Sequence, residues 1–168
     1  METPSQSIAD GLKKKGIKYV VSLPDNWTGE LLAIISADDY FIHIPVARED
    51  EGVGICAALH LAGADSVLII QNSSLLLCGN ALKSLALKYR IPLLILVSNR
   101  GALDEYARNQ IVSARGLLTV PFLEALQIPY LQVPGLGERG GILKAHRFAK
   151  IAERLVALIL TRRALGAD

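Results

Sequence analysis

Short apolar runs alternate with longer segments of helical character along the chain, and this alternation limits the possible folds more than any other feature. Two of the runs, Ser66–Gln71 (SVLIIQ) and Ile91–Val97 (IPLLILV), are almost continuously apolar. Such strands have to be covered on both faces, as in parallel sheets with helices on either side. Three further runs are predicted strands: Ile17–Leu23, Tyr40–Ile44 and Tyr130–Val133. The expected fold is therefore α/β, with a doubly wound, mainly parallel sheet flanked by helices.

Helices are predicted between these strands from apolar spacing and from glycine or proline at the segment ends. They are expected at Ser5–Lys15, Trp27–Ile35, Arg48–Ala62, Leu75–Leu87, Leu117–Leu126 and Ile142–Leu165. The last segment is predicted as one long helix, and its apolar face would comprise Phe148, Ile151, Leu155, Leu158 and Ile159.

Two connections are predicted as irregular, and no internal boundary is visible. Ser98–Ser113 is expected to be polar with one short helical turn, and Gly135–Gly141 to be a glycine-rich turn. Because no repeat, linker or low-complexity tract interrupts the pattern, residues 1–168 are interpreted as one domain.

Composition excludes several classes of protein. The chain is 51% hydrophobic with a formal net charge of +2, which argues against disorder and against nucleic acid as a partner. No apolar run approaches the ~20 residues that cross a bilayer, and the first residues do not resemble a signal peptide. Cys56 and Cys78 lie in apolar helical patterns and are interpreted as small core residues. These features predict a cytoplasmic protein with no membrane segment.

Polar residues that are difficult to place in a core fall where the predicted strands end. In doubly wound sheets ligands bind at that edge, which here comprises Leu23–Asn26, Pro45–Glu51, Gln71–Ser74 and Ser98–Asp104. Glu49, Asp50 and Glu51 begin a helix, where the helix dipole alone favours negative charge. No dinucleotide, Walker, nucleophile-elbow or metal-ligand pattern accompanies them. His43, His60 and His146 are scattered and are interpreted as structural.

Several segments within about Val20–Tyr130 resemble one enzyme family. They are Arg48–Ala57 (REDEGVGICA), Leu61–Gly63, Gln71–Ser73, Asn80–Leu85, Tyr89–Leu94, Ser98–Gly101 and Ile128–Tyr130. Together they resemble the alpha subunit of sulfopyruvate decarboxylase and, more distantly, the amino-terminal part of phosphonopyruvate decarboxylase. These are pyrimidine-binding domains of enzymes that use thiamine diphosphate to decarboxylate 2-oxo acids.

The resemblance implies roles for individual residues. Glu49 matches the catalytic acid of the family's R-E-x-E-G run, which hydrogen-bonds the ring nitrogen of the cofactor's aminopyrimidine. The segment Gln71, Asn72 and Ser73 matches a Q-N-S run and is expected to line the cofactor or substrate pocket. From the residues alone, Asn72 or Ser73 could equally cap the helix that follows.

Three candidates for substrate contact follow the predicted strands. Arg100 matches a family arginine and could pair with a substrate carboxylate or sulfonate, although a surface arginine is an equal alternative. Asp25 and Asn26 could face the substrate or form the turn before the next helix. Ser74 and Leu76 stand where the family usually has glycine, which predicts a reshaped, more apolar pocket and leaves sulfopyruvate open as the substrate.

The family holds the diphosphate through Mg²⁺ on a separate domain with a G-D-G motif, and this chain has no Gly-Asp-Gly. The resemblance therefore implies a beta subunit that supplies the diphosphate site, in a hetero-oligomer with self-association. No metal ligand is assigned to this chain. The tail after Val133 shows no likeness and is interpreted as a subunit contact. Two other hypotheses remain: a subunit for another 2-oxo acid such as phosphonopyruvate, and a non-catalytic α/β binding or regulatory domain.

Overall fold

The computed structural model describes residues 3–101, 114–133 and 139–167. In this part of the chain six parallel strands form one sheet with the order β2-β1-β3-β4-β6-β5. The strands are β1 (Tyr19–Ser22), β2 (Ile42–Pro45), β3 (Ser66–Gln71), β4 (Leu94–Ser98), β5 (Tyr130–Val133) and β6 (Val156–Leu160). The predicted α/β fold with a parallel sheet is confirmed, and β3 and β5 have the predicted bounds.

Helices cover both faces of the sheet. They are α1 (Pro4–Lys14), α2 (Gly29–Ala37), α3 (Glu49–Leu61), α4 (Asn72–Leu77), α5 (Gly79–Ala81), a π-helix (Leu82–Leu87), α6 (Ala114–Ala125), α7 (Arg139–Ala152) and α8 (Arg162–Leu165). The core has two parts: α1, α2, α7 and α8 pack on one face of the sheet, and α3 to α6 with the π-helix pack on the other. No helix in the described ranges is long and apolar enough to cross a bilayer.

The central strands are buried on both sides, as their continuous apolar sequence predicts. In β3, Val67 and Ile69 pack against the first group of helices, whereas Leu68 and Ile70 pack against the second. The side chains of Val67–Ile70 have no exposed surface, because successive residues of a strand point to opposite faces of a covered sheet.

The prediction of one long carboxy-terminal helix is wrong. The helix ends at Ala152, Glu153 has a positive φ of 47°, and the chain then forms β6, which lies between β4 and β5. Leu155, Leu158 and Ile159 belong to the core of the sheet. The sequence Val156–Leu160 (VALIL) contains residues with good helix propensity, and its burial between two strands overrides that propensity. The tail therefore completes the sheet.

Two local predictions also need correction. The predicted helix Leu75–Leu87 starts earlier, at Asn72, and is divided into α4, α5 and the π-helix. Of the predicted turn Gly135–Gly141, residues 139–141 belong to the first turn of α7, and residues 134–138 lie outside the described ranges. The short helical turn expected within Ser98–Ser113 also falls on residues that the structure does not describe.

The strand order places a ligand-binding crevice at the edge where the strands end. β1 lies between β2 and β3. The connection after β1 passes over one face through α2, whereas α3 and α4, on either side of β3, lie over the other. Connections that depart to opposite faces leave a gap above the ends of the two strands, and ligands bind there in open α/β sheets. The loops after β1, β2, β3 and β4 surround this gap.

Candidate active site

The acidic start of α3 contains three carboxylates with different surroundings. The Arg48 guanidinium donates to both oxygens of Asp50, Nε to Oδ1 at 3.1 Å and Nη2 to Oδ2 at 3.0 Å. This hydrogen bond lowers the pKa of the Asp50 carboxyl. The backbone N–H of Arg48 donates to Oε2 of Glu51 at 3.2 Å, a contact that stabilises the helix start. Asp50 and Glu51 are thus both occupied by helix-start contacts.

Glu49 is held by a hydrogen bond from α4, the helix that follows the next strand. Its Oε1 accepts a hydrogen bond from the Ser74 hydroxyl, which lies 25 residues later on α4. Among the described residues, Oε2 of Glu49 has no hydrogen-bond partner. Both side chains are half-buried. The carboxylate is therefore anchored through one oxygen at the edge where the strands end, and the second oxygen is available to a ligand.

Close packing beneath Glu49 sets its position. A Cβ added at Gly52 would lie 2.6 Å from Cδ1 of Leu68 on β3, so any larger residue would force the buried Leu68 side chain or the helix to shift. A glycine at this position lets the first turn of α3 approach the sheet. Since Glu49 lies one turn earlier on the same helix face, this approach also fixes how far its carboxylate extends over the edge of β3.

The thiol near this carboxylate is chemically inert. Cys78 is fully buried and free, and its burial, together with the negative charges of Glu49 and Asp50, raises the pKa of the thiol to about 12. Cys56 is also free and buried, and desolvation raises its pKa to about 12. Both thiols remain protonated at neutral pH, in agreement with their interpretation as small core residues.

Asn72 ties together the ends of β3 and β4. Its buried Nδ2 lies 3.1 Å from Oδ1 of Asn99, 2.9 Å from the Arg100 carbonyl and 3.0 Å from the Thr119 hydroxyl. The capping interpretation is wrong for Asn72 and Ser73, because the residue before α4 is Gln71 and no side chain caps that helix. Asn72 instead holds the loop after β4 and the helix α6 against the start of α4.

Gln71 presents a hydrogen-bond donor without a protein acceptor. Its Oε1 accepts from the Ser73 hydroxyl at 2.9 Å, whereas its Nε2 is buried and has no partner among the described residues. A buried donor left unpaired costs about 1–3 kcal/mol, so this amide fits a site that a ligand acceptor completes.

Asp25 is fully engaged within the protein. Its Oδ1 accepts from the backbone N–H groups of Trp27 at 2.6 Å and Thr28 at 3.2 Å, and its Oδ2 accepts from the Ser98 hydroxyl at 2.5 Å. These contacts hold the turn before α2, which begins at Gly29 and not at the predicted Trp27. Asn26, next to Asp25, is exposed.

Arg100 lies against the same loop. Its Cζ is 5.5 Å from the centroid of the Trp27 ring, a separation at which a guanidinium is attracted to an aromatic face. Among the described residues no carboxylate pairs with Arg100. Trp27 therefore positions the guanidinium, whose hydrogen-bond donors are not taken by a carboxylate in the described part of the chain.

The structure divides the predicted site residues into two groups that share α4. The first is Glu49 with Ser74, and the second joins Asn72 to the Asp25 and Arg100 loops. Sequence reasoning missed Ser74 as a contact of Glu49 and treated it only as a replaced glycine. It also missed Ser98, whose hydroxyl donates to Asp25. The one signal in the sequence that points to Ser74 is its position, where the family usually has glycine.

The donor set fits an aminopyrimidine better than a metal. A carboxylate oxygen without a partner can share a proton with a ring nitrogen, and the unpaired Gln71 amide can donate to a ring or substrate acceptor. Within the described ranges, no group of three or more His, Cys, Asp or Glu side chains could hold a metal ion. The Mg²⁺ site expected on a partner subunit stays a prediction.

Comparison with known proteins identifies relatives with matching length. The chain is 36% identical over 126 residues to sulfopyruvate decarboxylase subunit alpha of Methanothermobacter thermautotrophicus, covering 75% of each chain. It is 37% identical to the subunit alpha of Methanococcus maripaludis, covering 75% of this chain and 74% of the relative. No family model matches the chain.

A solved structure shares the fold. Benzoylformate decarboxylase from Polynucleobacter necessarius superposes with a TM-score of 0.77 at 17% sequence identity, over 98% of this chain and 31% of that one. This likeness supports the fold, and the sequence relatives establish the family. The chain belongs to the family of sulfopyruvate decarboxylase alpha subunits.

Proposed function

We propose that this chain is the pyrimidine-binding subunit of a thiamine-diphosphate-dependent decarboxylase, with sulfopyruvate as the substrate. Residues 1–168 would form one pyrimidine-binding domain. The observation that carries the proposal is Glu49, which is anchored by Ser74 through one oxygen while the other is open at the ligand-binding edge. Family membership supports the same assignment.

Glu49 would act on the cofactor's ring. Its open oxygen, Oε2, would hold a proton at the aminopyrimidine ring nitrogen, since a half-buried carboxylate beside an apolar ring shares a proton more readily than a solvated one. Thiamine diphosphate, when bound, supplies the electron sink for loss of carbon dioxide from a 2-oxo acid. Gln71, Asn72 and Ser73 would line the pocket, with the Gln71 amide as a donor and Asn72 as the anchor of the wall.

Arg100 is the best candidate for the anionic end of the substrate. Arg48 is paired with Asp50, whereas Arg100 has no carboxylate partner among the described residues. A guanidinium fork matches a sulfonate or carboxylate in a bidentate arrangement. Asn26 is exposed next to this loop and could contact the substrate directly. Asp25 would contribute through the loop that it holds and that carries Trp27.

The other half of the site would come from a beta subunit. The relatives are named alpha subunits, and this chain has no Gly-Asp-Gly with which to hold a metal-bound diphosphate. We infer that the beta subunit binds the diphosphate and Mg²⁺, and that the active site lies between unlike chains in a hetero-oligomer.

Calorimetric titration tests this assignment. Thiamine diphosphate with Mg²⁺ is titrated into this chain alone, the beta subunit alone and the reconstituted pair. Tight binding is expected only for the pair. Tight binding to the isolated chain would contradict the half-site assignment, and a pair that binds no thiamine diphosphate would refute the proposed function.

A substrate panel tests the role of Arg100. The pair is assayed with sulfopyruvate, phosphonopyruvate and 2-oxobutyrate, which lacks a second anionic group. Arg100→Ala is expected to raise the KM for sulfopyruvate about tenfold or more, because a charge-assisted contact is lost, and to leave the KM for 2-oxobutyrate within about twofold. Equal effects on the two substrates would remove Arg100 from substrate recognition.

A further inference from the structure

We propose that Ser74 is a positioning residue that selects the orientation of Glu49 in which Oε2 faces the ring nitrogen of the cofactor. The proposal rests on the proposed function of Glu49. The Ser74 hydroxyl donates to Oε1 of Glu49, and an oxygen that accepts this bond is turned toward α4. The second oxygen of the carboxylate is then directed away from α4.

The segment that carries Ser74 is held rigidly. Asn72, two residues earlier, is buried and contacts Asn99, Arg100 and Thr119. The first turn of α4 is thereby fixed to the ends of two strands and to α6. A hydroxyl on such a fixed segment can select one orientation of a flexible glutamate better than a hydroxyl on a free loop can.

The two adjacent serines have different partners. Ser73 donates to Gln71 at 2.9 Å, on its own segment, whereas Ser74 donates to Glu49 on α3. Asp50 and Glu51 make different contacts, since the Arg48 guanidinium donates to Asp50 and the Arg48 backbone N–H donates to Glu51. The arrangement therefore selects one carboxylate out of three consecutive ones.

Among the described residues, the Ser74 hydroxyl is the group that donates a hydrogen bond to Oε1 of Glu49. The Cys78 thiol is buried, and the charge of Glu49 contributes to the raised pKa of that thiol. Among the described residues no lysine or arginine forms an ion pair with Glu49. Removing the Ser74 hydroxyl would allow Glu49 to adopt other orientations. This change would weaken the contact of Glu49 with the cofactor and would leave the fold intact.

The test compares two ligands that differ at one atom. Thiamine diphosphate, and an analogue in which the aminopyrimidine ring nitrogen is replaced by carbon, are titrated calorimetrically with Mg²⁺ into the reconstituted pair. The variants are Ser74→Ala, Ser74→Gly and Ser74→Thr, with Ser84→Ala as the matched control. Ser84 is half-buried like Ser74, and its hydroxyl donates to Oδ1 of Asn80 at 3.3 Å on the same helical segment. Thermal unfolding of each variant establishes that it is folded.

Ser74→Ala and Ser74→Gly are expected to weaken binding of thiamine diphosphate about three- to tenfold, the usual net effect of losing one hydrogen bond. Binding of the carbon analogue should not change, and Ser74→Thr should restore the loss because it keeps a hydroxyl. In a Glu49→Gln background, Ser74→Ala should have no further effect on the preference for thiamine diphosphate over the analogue.

Two outcomes would overturn the proposal while the proposed function stands. One is a Ser74→Ala pair that keeps the full wild-type preference for thiamine diphosphate over the analogue. The other is equal weakening of both ligands, which a general structural role would produce. If the wild-type pair itself shows no preference between the two ligands, Glu49 does not contact the ring nitrogen, and the proposed function fails independently of Ser74.

Discussion

The two edges of the sheet differ in shape and in chemistry. At the edge where the strands begin, a cavity of about 430 Å³ lies between the segments that precede β4, β5 and β6. Its charged groups have protein partners: Nη2 of Arg90 lies 3.4 Å from Oε2 of Glu153, and Arg154 donates to the Gln127 carbonyl at 3.0 Å. At the opposite edge, Glu49 and Gln71 keep polar atoms that have no partner among the described residues.

The direction of the helices explains this difference. In a parallel sheet with helical crossovers, helices end where strands begin, so backbone carbonyls face that edge. Here Arg90, Gln127 and Glu153 have positive φ and follow the ends of three helical segments. Helices begin at the other edge, where N–H groups and acidic side chains are stabilised. The unpaired polar atoms therefore lie at the edge where helices begin, which is the edge of the proposed active site and not that of the cavity.

The largest expected effect contrasts a glutamate from each edge. In the reconstituted pair, Glu49→Gln should lower kcat by about 100-fold or more, because proton transfer by a positioned carboxylate contributes about 10²–10⁴-fold. Glu153→Gln, beside the cavity, should leave kcat within about twofold. Steady-state decarboxylation at saturating thiamine diphosphate measures both. Undiminished activity of Glu49→Gln, or a comparable loss in Glu153→Gln, would reverse the comparison between the edges.

The next effect tests the packing that supports Glu49. Gly52→Ala should destabilise the protein by about 1–3 kcal/mol, since the new methyl group would overlap the buried Leu68 side chain. Gly54 is a matched control on the same helix, because its added Cβ would approach no closer than 4.0 Å to Leu85. Gly54→Ala should therefore be neutral or stabilising, in keeping with helix propensity. Urea denaturation separates the two, and equal stabilities would show that α3 can move away from the sheet.

Segments whose apolar pattern is compatible with a single structure were predictable from the sequence. Ser66–Gln71 is apolar on both faces and became β3 with the predicted bounds. The acidic run was also informative, because glutamates and an aspartate at a helix start have ordinary roles that Asp50 and Glu51 fulfil. The run itself does not single out Glu49. That choice came from the family resemblance, and the structure adds that its carboxylate contacts another helix.

The rest depended on contacts between distant residues. Val156–Leu160 has a helix-compatible composition and became a strand because it lies between β4 and β5. Ser98 and Asp25 are 73 residues apart, and Ser74 and Glu49 are 25 residues apart. No spacing rule connects such pairs, since the fold alone brings the strand ends together. Leu76, expected to make the pocket more apolar, is 42% exposed.

A smaller effect compares one aspartate from each edge. Asp25→Asn should lower the free energy of unfolding by about 1–3 kcal/mol, because the amide presents a donor where the carboxylate accepts from Trp27, Thr28 and Ser98. Asp65→Asn, which disrupts a partly exposed ion pair with Lys150, should cost about 1 kcal/mol or less. Urea denaturation at neutral pH measures both. A larger loss for Asp65 would contradict the stronger polar network assigned to the edge where strands end.

The smallest effect concerns two histidines and pH. Burial lowers the pKa of His43, whose ring lies between the hydroxyls of Ser22 and Ser36 at 2.7 and 2.8 Å. Burial also lowers the pKa of His146, although Asp65, 3.3 Å away, acts in the opposite direction. A lowered pKa means that the folded state prefers the neutral ring. The associated stability is present above the unfolded pKa of about 6.5 and is lost as pH falls through the folded pKa.

The free energy of unfolding should therefore decrease between pH 7 and pH 5, and His43→Asn and His146→Asn should each flatten this slope. Burial causes the lowered pKa of His43, whereas at His146 the Asp65 charge offsets part of the burial cost and the Lys150 and Lys15 charges add to it. Urea denaturation at several pH values gives the slope for each variant, independently of any change in stability at pH 7. A slope that neither substitution changes would show that burial does not hold these rings neutral in the folded state.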